Sequence, residues 1–362
     1  MYKQSLTKPD GRALHLYSHH PLPAGIVAGG PRGGAAGSHL RWHPLRGEWV
    51  VYATHRQART FLPPPEYNPL RPSSDPADPT EVPEGPWDVA VFDNLFPALS
   101  ADPGEPPHTL VPTAPGRGAC EVVVFTQDPK ASLGALPLRQ VELILEVWGD
   151  RTRELGARDD IAYVFPFENR GVEVGVTLHH PHGQIYAYPF VPPIAARELA
   201  VQREYHDTHG RGLLADLFAA ELRSCARVVY LGDRALAVVP VCARYAYEVW
   251  VAPLEPVPSY LSLDAATRAD LARALKTVLM KYDALWRRPF PYLMVCHQAP
   301  TDGQAHPEAH LRIELYPPYR MPGRLKYLAG TELGAGVFSA DTLPEDKAAE
   351  LRAVEVSIDD GP

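Results

Sequence analysis

The stretch from Thr177 to Ala187 carries three histidines and a glutamine within a pattern that is otherwise typical of a β-strand. Alternate side chains of an extended backbone share a face, so His180, His182 and Gln184 are predicted to converge on one pocket. A neutral imidazole can attack phosphorus when one ring nitrogen donates its hydrogen to a fixed acceptor and the other presents its lone pair. His182 is therefore a candidate covalent nucleophile.

Gln184 narrows the chemistry of this candidate site. Its amide can donate a hydrogen bond to a phosphoryl oxygen as charge develops, but it cannot shuttle protons as a histidine does. The site therefore suits a leaving group that departs without an acid, such as a sugar phosphate. The alternative interpretation is structural, either a metal-ligand strand or a core strand with satisfied histidines.

The surrounding periodicity predicts strands and helices that would position this strand. Predicted strands cover 40–52 (strand, turn, strand), 89–97, 120–125, 161–167, 228–231, 235–239, 247–252, 292–298 and 311–316. Predicted helices cover 138–157, 194–208, 212–226, 262–285 with Asp264 as N-cap, and 343–353.

The later elements repeat the order of the earlier ones. His310-Leu311-Arg312-Ile313-Glu314 is the counterpart of the histidine-rich strand, and Gln298 precedes it much as Asn169 precedes His180. This pattern indicates an internal duplication in which Arg312 stands at the position of His182. The predicted fold is α+β, with two halves that are each an antiparallel sheet with helices packed on one side.

The ends of the chain differ in composition from these halves. Residues 1–38 include a run of glycines, prolines and alanines that can bury little, which predicts a flexible segment. The predicted organisation is this segment, a catalytic half at 39–195, a degenerate second half at 196–340, and a C-terminal helix and tail at 341–362.

Charge and cysteine usage restrict the partners. The net charge of -8 and the pI near 6.0 argue against nucleic acid or an anionic membrane as a partner. The first residues lack the apolar core of a signal peptide, and no apolar run reaches membrane-spanning length, which favours the cytosol. The widely spaced Cys120, Cys225, Cys242 and Cys296 predict free thiols.

The motif His180-Pro181-His182-Gly183-Gln184 resembles the active-site motif of galactose-1-phosphate uridylyltransferases, the transferase branch of the histidine-triad superfamily. The resemblance extends from about Arg41 to Arg352. It implies a homodimer that moves UMP from UDP-glucose to galactose 1-phosphate through a uridylyl-histidine on His182. His180 would orient that nucleophile.

The resemblance also implies binding roles for residues elsewhere. An arginine pair would reach the nucleotide, two phenylalanines would flank the base, and further residues would hold the nucleoside and the phosphoryl group. A C-terminal loop would close over the nucleotide of the other subunit. The arginine pair is Arg56 and Arg59, and the phenylalanines that would flank the base are Phe92 and Phe96. Asn94 and Val122 would hold the nucleoside, and Asn169, Gly175 and Thr177 would hold the phosphoryl group. Lys326 and Glu332 belong to the C-terminal loop.

Structural alternatives remain for three of these roles. Arg56 and Arg59 could form a solvated surface pair, Phe96 could be ordinary core, and Asn169 could be a simple turn residue.

The metal sites implied by the resemblance are altered in this chain. Leu70 to Ser74 occupy the positions where many relatives have a cysteine pair that binds zinc, and Pro129 occupies the position of a histidine that binds the same zinc. His180 alone remains, so no zinc is predicted there. A second metal would be held by Glu198 and His297, but Arg312 and Glu314 replace its two other histidines. The sequence leaves open a metal or a Glu198–Arg312 pair, and the chemistry itself requires no cofactor.

Two other functions remain open at this stage. One is a nucleotidylyltransferase or phosphorylase of the same superfamily with another base or acceptor, since Phe338 aligns near a family glutamine that touches the hexose phosphate. The other is a nucleotide-binding protein without turnover, which the presence of both His182 and Gln184 disfavours.

Overall fold

The structure is a computed structural model that describes residues 1–31, 33, 37–59, 61–75 and 77–358. Its strands are β1 (Tyr2–Thr7), β2 (Ala13–Ser18), β3 (His39–His43), β4 (Glu48–Tyr52), β5 (Val89–Asp93), β6 (Thr113–Pro115), β7 (Ala119–Val124), β8 (Tyr163–Arg170), β9 (His182–Tyr188), β10 (Val228–Leu231), β11 (Ala235–Val238), β12 (Val249–Pro253), β13 (Tyr292–His297), β14 (Arg312–Tyr316), β15 (Tyr319–Met321) and β16 (Arg324–Leu325).

Eleven of these strands form one antiparallel sheet in the order β1-β2-β5-β7-β9-β8-β13-β14-β12-β11-β10. The predicted half-sheets are thus continuous, because β8 of the first half pairs with β13 of the second. Strands β4-β3-β6 form a small separate sheet, and β15 pairs with β16.

The helices are α1 (Leu138–Gly156), α2 (Pro193–His209), α3 (Leu213–Ser224), α4 (Ala265–Leu285) and α5 (Pro344–Ala353). The predicted N-cap is confirmed, since the Asp264 carboxylate accepts a hydrogen bond from the backbone N–H of Thr267 at 2.7 Å. None of the helices in the described ranges combines the length and the apolar character needed to cross a membrane.

Helices α1 and α4 pack on one face of the sheet and create the largest buried core. The opposite face is covered differently in the two halves. In the second half α3 packs there, through Leu214 and Phe218 against Leu236 and Val238 of β11. In the first half the cover is the proline-rich loop and the N-terminal segment, whose Leu70, Val82, Trp87 and Ala28 pack against the sheet.

The prediction that residues 1–38 form a flexible segment is wrong for its first part. Strands β1 and β2 form a hairpin that extends the sheet beyond β5, and Leu14, Leu16 and Tyr17 are fully buried. Alternation of apolar and polar residues in these strands outweighs the glycine-rich composition that follows them. Positions 32 and 34–36 of the segment, and 359–362 of the tail, lie outside the described residues.

Candidate functional site

The histidine-rich strand is fixed closely between its neighbours. β9 begins at His182 and pairs with β7 on one side and β8 on the other. A Cβ atom on Gly183 would lie 2.7 Å from the Phe125 ring and 3.0 Å from the carbonyl oxygen of Phe167. A side chain at this position would collide with its neighbours, which accounts for a glycine between His182 and Gln184.

Gln184 belongs to a row of side chains that crosses the sheet. Phe92 on β5 pairs with Val122 on β7, Val122 with Gln184 on β9, and Gln184 with Phe167 on β8. Directly paired residues of adjacent strands point to the same face. The register therefore places an aromatic ring, a small apolar side chain and an amide in line on the face opposite α1.

His182 is held in one orientation by the main chain. Its Nδ1 lies 2.7 Å from the carbonyl oxygen of His180, which can only accept, so Nδ1 carries the hydrogen and Nε2 keeps its lone pair. Burial lowers the pKa of His182, although the hydrogen bond to His180 acts in the opposite direction. The ring is therefore neutral at neutral pH.

The prediction that the His180 side chain shares the pocket is wrong. His180 precedes the first residue of β9, so strand alternation does not reach it, and its side chain is buried away from the cavity. Its Nε2 lies 2.7 Å from the carbonyl oxygen of Thr126, and its Nδ1 lies 2.8 Å from the side-chain nitrogen of Asn68. His180 contributes its carbonyl to the site rather than its ring.

A cavity of about 320 Å³ opens over this face of the first half. Eleven of the predicted site residues line it, namely Arg56, Arg59, Phe92, Asn94, Phe96, Val122, Asn169, Gly175, Thr177, His182 and Gln184. The sequence analysis missed Pro69, Leu70, Glu81, Leu95, Phe167, Val176, Leu178 and Tyr186. Continued alternation beyond Gln184 would have found Tyr186, whereas the path of the proline-rich loop gave no local signal for Glu81.

The arginine pair lies against the cavity of its own chain. Arg56 donates from Nη1 to the carbonyl oxygen of Phe96 at 2.9 Å and to the Tyr186 hydroxyl at 3.1 Å. Asn94 accepts from the backbone N–H of Phe96 at 2.8 Å. These bonds fix the turn after β5, so that the Phe96 ring and the Arg56 guanidinium line one wall.

The C-terminal loop lies elsewhere. Lys326 and Glu332 do not line this cavity, and their side chains approach each other to 3.4 Å. Phe338 packs on Tyr245, with ring centroids 6.1 Å apart, and beneath the Arg244 guanidinium at 5.2 Å. The predicted contacts of Lys326 and Glu332 are thus not formed with the cavity of their own chain.

The second half holds a charged cluster at the equivalent strand. Arg312 donates to Glu198 at 2.6 Å and to Glu314 at 2.5 Å, and His297 Nδ1 lies 3.2 Å from the Glu198 carboxylate. Burial alone would raise the pKa of Glu198, but the neighbouring His297 ring and Arg312 guanidinium lower it to about 2. The cavity beside this cluster measures only about 10 Å³.

The cluster contains three residues that could hold a metal ion. Glu198, His297 and Glu314 offer ligand atoms within 4.8 Å of one another, so part of a ligand set is present. Both carboxylates, however, already bind the permanently charged Arg312, which would repel a cation. The residues therefore fit a guanidinium in place of an ion better than they fit the ion.

The strand register shows which residues of the two halves correspond. Gln184 on β9 is paired with Phe167 on β8, and its counterpart Glu314 on β14 is paired with Val295 on β13. Asn169 and His297 each lie two residues after these partners, so Asn169 corresponds to His297. The predicted correspondence of Asn169 with Gln298 is therefore wrong. The Gln298 amide is buried and donates to the carbonyl oxygen of Val164 at 2.9 Å, which makes it a core residue.

The fold and the site define an α+β protein with two related halves, the first of which carries a buried histidine at a cavity. Family models for galactose-1-phosphate uridyl transferase match the chain twice, with the N-terminal domain at residues 33–192 and the C-terminal domain at 198–359. The chain belongs to this family.

Individual relatives agree with this assignment. The chain is 37% identical to a galactose-1-phosphate uridylyltransferase of Thermotoga maritima, with 88% of this chain and 99% of that one covered. It is 36% identical to the Streptomyces lividans protein of the same name, with 98% of each covered. A solved uridylyltransferase structure superposes with a TM-score of 0.79 at 35% identity, covering 87% of this chain and 97% of that one.

Proposed function

We propose that the protein is a UDP-glucose–hexose-1-phosphate uridylyltransferase that acts through a covalent uridylyl-histidine. The observation that carries the proposal is the pairing of His182 with the carbonyl oxygen of His180, which leaves Nε2 as a neutral nucleophile at the cavity. The relatives named galactose-1-phosphate uridylyltransferase support the donor and the acceptor.

In the first half-reaction, Nε2 of His182 attacks the α-phosphorus of UDP-glucose. The bond from that phosphorus to the bridging oxygen breaks, and glucose 1-phosphate leaves with the electron pair. The hydrogen on Nδ1 stays bonded to the His180 carbonyl, which stabilises the charged imidazole. In the second half-reaction an oxygen of the hexose 1-phosphate attacks phosphorus and the neutral imidazole is restored.

Three cavity residues are placed to stabilise the phosphoryl oxygens. Gln184 lies one pleat beyond His182, and Asn169 and Thr177 line the same cavity. Their amide and hydroxyl donors would bond oxygens that gain charge in the transition state. None of the described residues lining the cavity, apart from His182, is a histidine, which suits a leaving group that needs no acid.

The reaction is proposed to need no metal. Both ring nitrogens of His180 are engaged, by Asn68 and by Thr126, which leaves no lone pair for zinc. Arg312 takes the place of an ion in the second half. Elemental analysis of purified protein tests both points, and a stoichiometric metal would overturn them.

The remaining parts of the proposal concern assembly and location. A homodimer is supported by the placement of Lys326 and Glu332 outside the cavity of their own chain, and sedimentation tests it. A cytosolic protein is supported by four unpaired cysteines. The net charge of -8 supports small-molecule partners rather than nucleic acid or membrane.

Intact-mass spectrometry after incubation with UDP-glucose alone tests the proposal. We expect a uridylyl-sized gain in the wild type, none in a His182→Asn variant, and loss of the gain when galactose 1-phosphate is added. A wild-type protein without any adduct would contradict the covalent mechanism.

A second candidate differs only in the acceptor. Phe338 packs on Tyr245 and Arg244 and offers no hydrogen bond to a sugar phosphate, unlike the family glutamine near that position. A panel of hexose 1-phosphates added to the uridylylated protein distinguishes the acceptors. Discharge by another sugar phosphate and not by galactose 1-phosphate would favour the second candidate.

A further inference from the structure

The N-terminal hairpin reaches the wall of the nucleotide cavity, although it lies outside the matched family domains. Its turn carries Lys8 and Arg12, and both side chains point back toward the sheet. Lys8 is 2% exposed, and its ammonium group lies 4.0 Å from the centre of the Phe92 ring. Phe92 lines the cavity, so the hairpin supports that wall from behind.

The two cations meet on one carboxylate. Lys8 Nζ bonds Glu81 Oε2, and Arg12 Nη1 donates to the same oxygen at 3.0 Å. Arg12 is itself fixed by Asp10 at 2.7 Å and by the carbonyl oxygen of Asp93 at 2.9 Å. A carboxylate that bonds a buried ammonium group and a partly buried guanidinium is held in one position.

Glu81 therefore faces the cavity with one oxygen to spare. Its Oε1 has no hydrogen-bond donor among the residues that the structure describes, whereas Oε2 has two. No other aspartate or glutamate in the described ranges lines this cavity. A carboxylate oxygen that faces a ligand cavity and has no donor from the protein can accept a hydrogen bond from the ligand.

The position of Glu81 indicates which part of the ligand would donate a hydrogen bond to its Oε1. Lys8 contacts both Glu81 and Phe92, so Glu81 lies near Phe92. Phe92 on β5 is separated from Gln184 on β9 by Val122 on β7, so two strand spacings of about 5 Å each lie between Phe92 and Gln184. A phosphate beside Glu81 would be repelled, and Leu70 and Leu178 of the cavity lining pack in the same apolar cluster as Phe92. This end of the cavity therefore suits the base, and the ribose would span the gap to the phosphoryl site.

We propose that Glu81, held by Lys8 and Arg12 of the N-terminal hairpin, is the residue that reads the base. Its Oε1 accepts the ring N3–H of uracil and rejects cytosine, which presents a lone pair at that atom. The inference rests on the proposed uridylyl donor and adds to it the group that selects uracil. The hairpin is then a working part of the nucleotide site.

The test measures the dissociation constants of UDP and CDP by calorimetry, which requires no turnover. We expect the wild type to prefer UDP by roughly 10–100-fold, the range for one charge-assisted hydrogen bond. In Glu81→Gln the preference falls to near one, since an amide can either donate or accept. Asp10→Asn is the matched control: it alters the same ion-pair cluster but not the cavity wall, and its UDP-to-CDP ratio stays at the wild-type value.

A purely structural Glu81 would weaken both nucleotides equally and leave the ratio unchanged, which would overturn the proposal. Equal binding of UDP and CDP by the wild type would overturn it as well. Because Glu81→Gln leaves two cations with one carboxylate fewer, the Lys8→Met/Glu81→Gln double variant is measured alongside and is expected to lose the same preference.

Transfer from UDP-glucose is assayed separately on the wild type. Absent transfer with an intact base preference would contradict the proposed function and leave the role of Glu81 standing.

Discussion

Strands β9 and β14 are built on the same plan but carry different chemistry. Each is preceded by a buried histidine whose Nε2 lies close to a carbonyl oxygen, at 2.7 Å from Thr126 for His180 and at 2.9 Å from Pro253 for His310. Two residues later one strand presents His182 and the other Arg312. The duplicated frame is thus retained, while the functional position has diverged.

The covers over the two strands explain the difference in their surroundings. Over β14, α2 brings Glu198 to Arg312 and leaves about 10 Å³ of space. On the same face of the first half, the proline-rich loop packs against β2, β5 and β7 and leaves about 320 Å³ beside His182 of β9. A nucleophile must be accessible to its substrate, whereas a buried guanidinium must be paired with carboxylates.

The largest expected effect comes from exchanging the functional residues. His182→Asn should lower the rate of uridylyl transfer by at least about 10⁴-fold, because a covalent nucleophile is lost. Adding Arg312→His in the same chain should not restore the adduct, since α2 covers that face. Intact mass after UDP-glucose measures both, and an adduct on residue 312 would break the comparison.

The second prediction concerns the buried ion cluster. Arg312→Met leaves Glu198 and Glu314 without their cation and should lower the free energy of unfolding by about 3–5 kcal/mol. Chemical denaturation measures this loss, and a divalent cation should reverse part of it because Glu198, His297 and Glu314 remain as ligands.

The control for this variant is Arg203→Met. Arg203 is exposed and pairs with Glu308, and because solvent screens its charge we expect a smaller loss of stability than in Arg312→Met. If both variants lost the same free energy of unfolding, the buried cluster would contribute no more to stability than an exposed ion pair.

The third prediction separates phosphoryl stabilisation from nucleotide binding. Gln184→Ala should slow adduct formation by about 10²–10³-fold, the usual cost of one donor at a developing charge, with little change in UDP affinity. Stopped reactions followed by mass spectrometry give the rate. A variant that loses affinity and keeps its rate would assign Gln184 to ground-state binding.

The smallest effect is expected from pH. Burial lowers the pKa of His182 below its ordinary value of 6.5, so the nucleophile stays neutral as the pH falls to that value. Adduct formation should stay constant from pH 8 to 6.5 and decline about tenfold per unit only below the lowered pKa. The diphosphate of UDP-glucose does not titrate in this range. A midpoint at or above 6.5 would show that His182 is not shielded as the structure indicates.

The same shift affects stability with a defined sign. Between pH 6.5 and the lowered pKa the unfolded imidazole binds a proton and the folded one does not, so stability falls as the pH falls. His310, whose pKa burial lowers to about 4, should act in the same direction between pH 6.5 and 4.

Much of the fold follows from periodicity alone. The boundaries of β10 coincide with the prediction, and those of α1 and α4 differ from it by at most a few residues, because these elements carry clear apolar alternation or helical spacing. The hairpin β1–β2 was missed since the glycine-rich run after it dominated the composition of the segment.

For the site, the sequence by itself predicted His182 as the candidate nucleophile and eleven of the residues that line the cavity. His182, Gln184 and the residues of β5 and β8 follow from a strand motif and its resemblance, since pleating fixes which side chains share a face. Tertiary structure alone decided that His180 turns to Thr126 and Asn68, that Arg312 binds two carboxylates, and that Glu81 enters the cavity. Those contacts join residues far apart in the chain, and no local pattern encodes which loop or helix will cover a given strand.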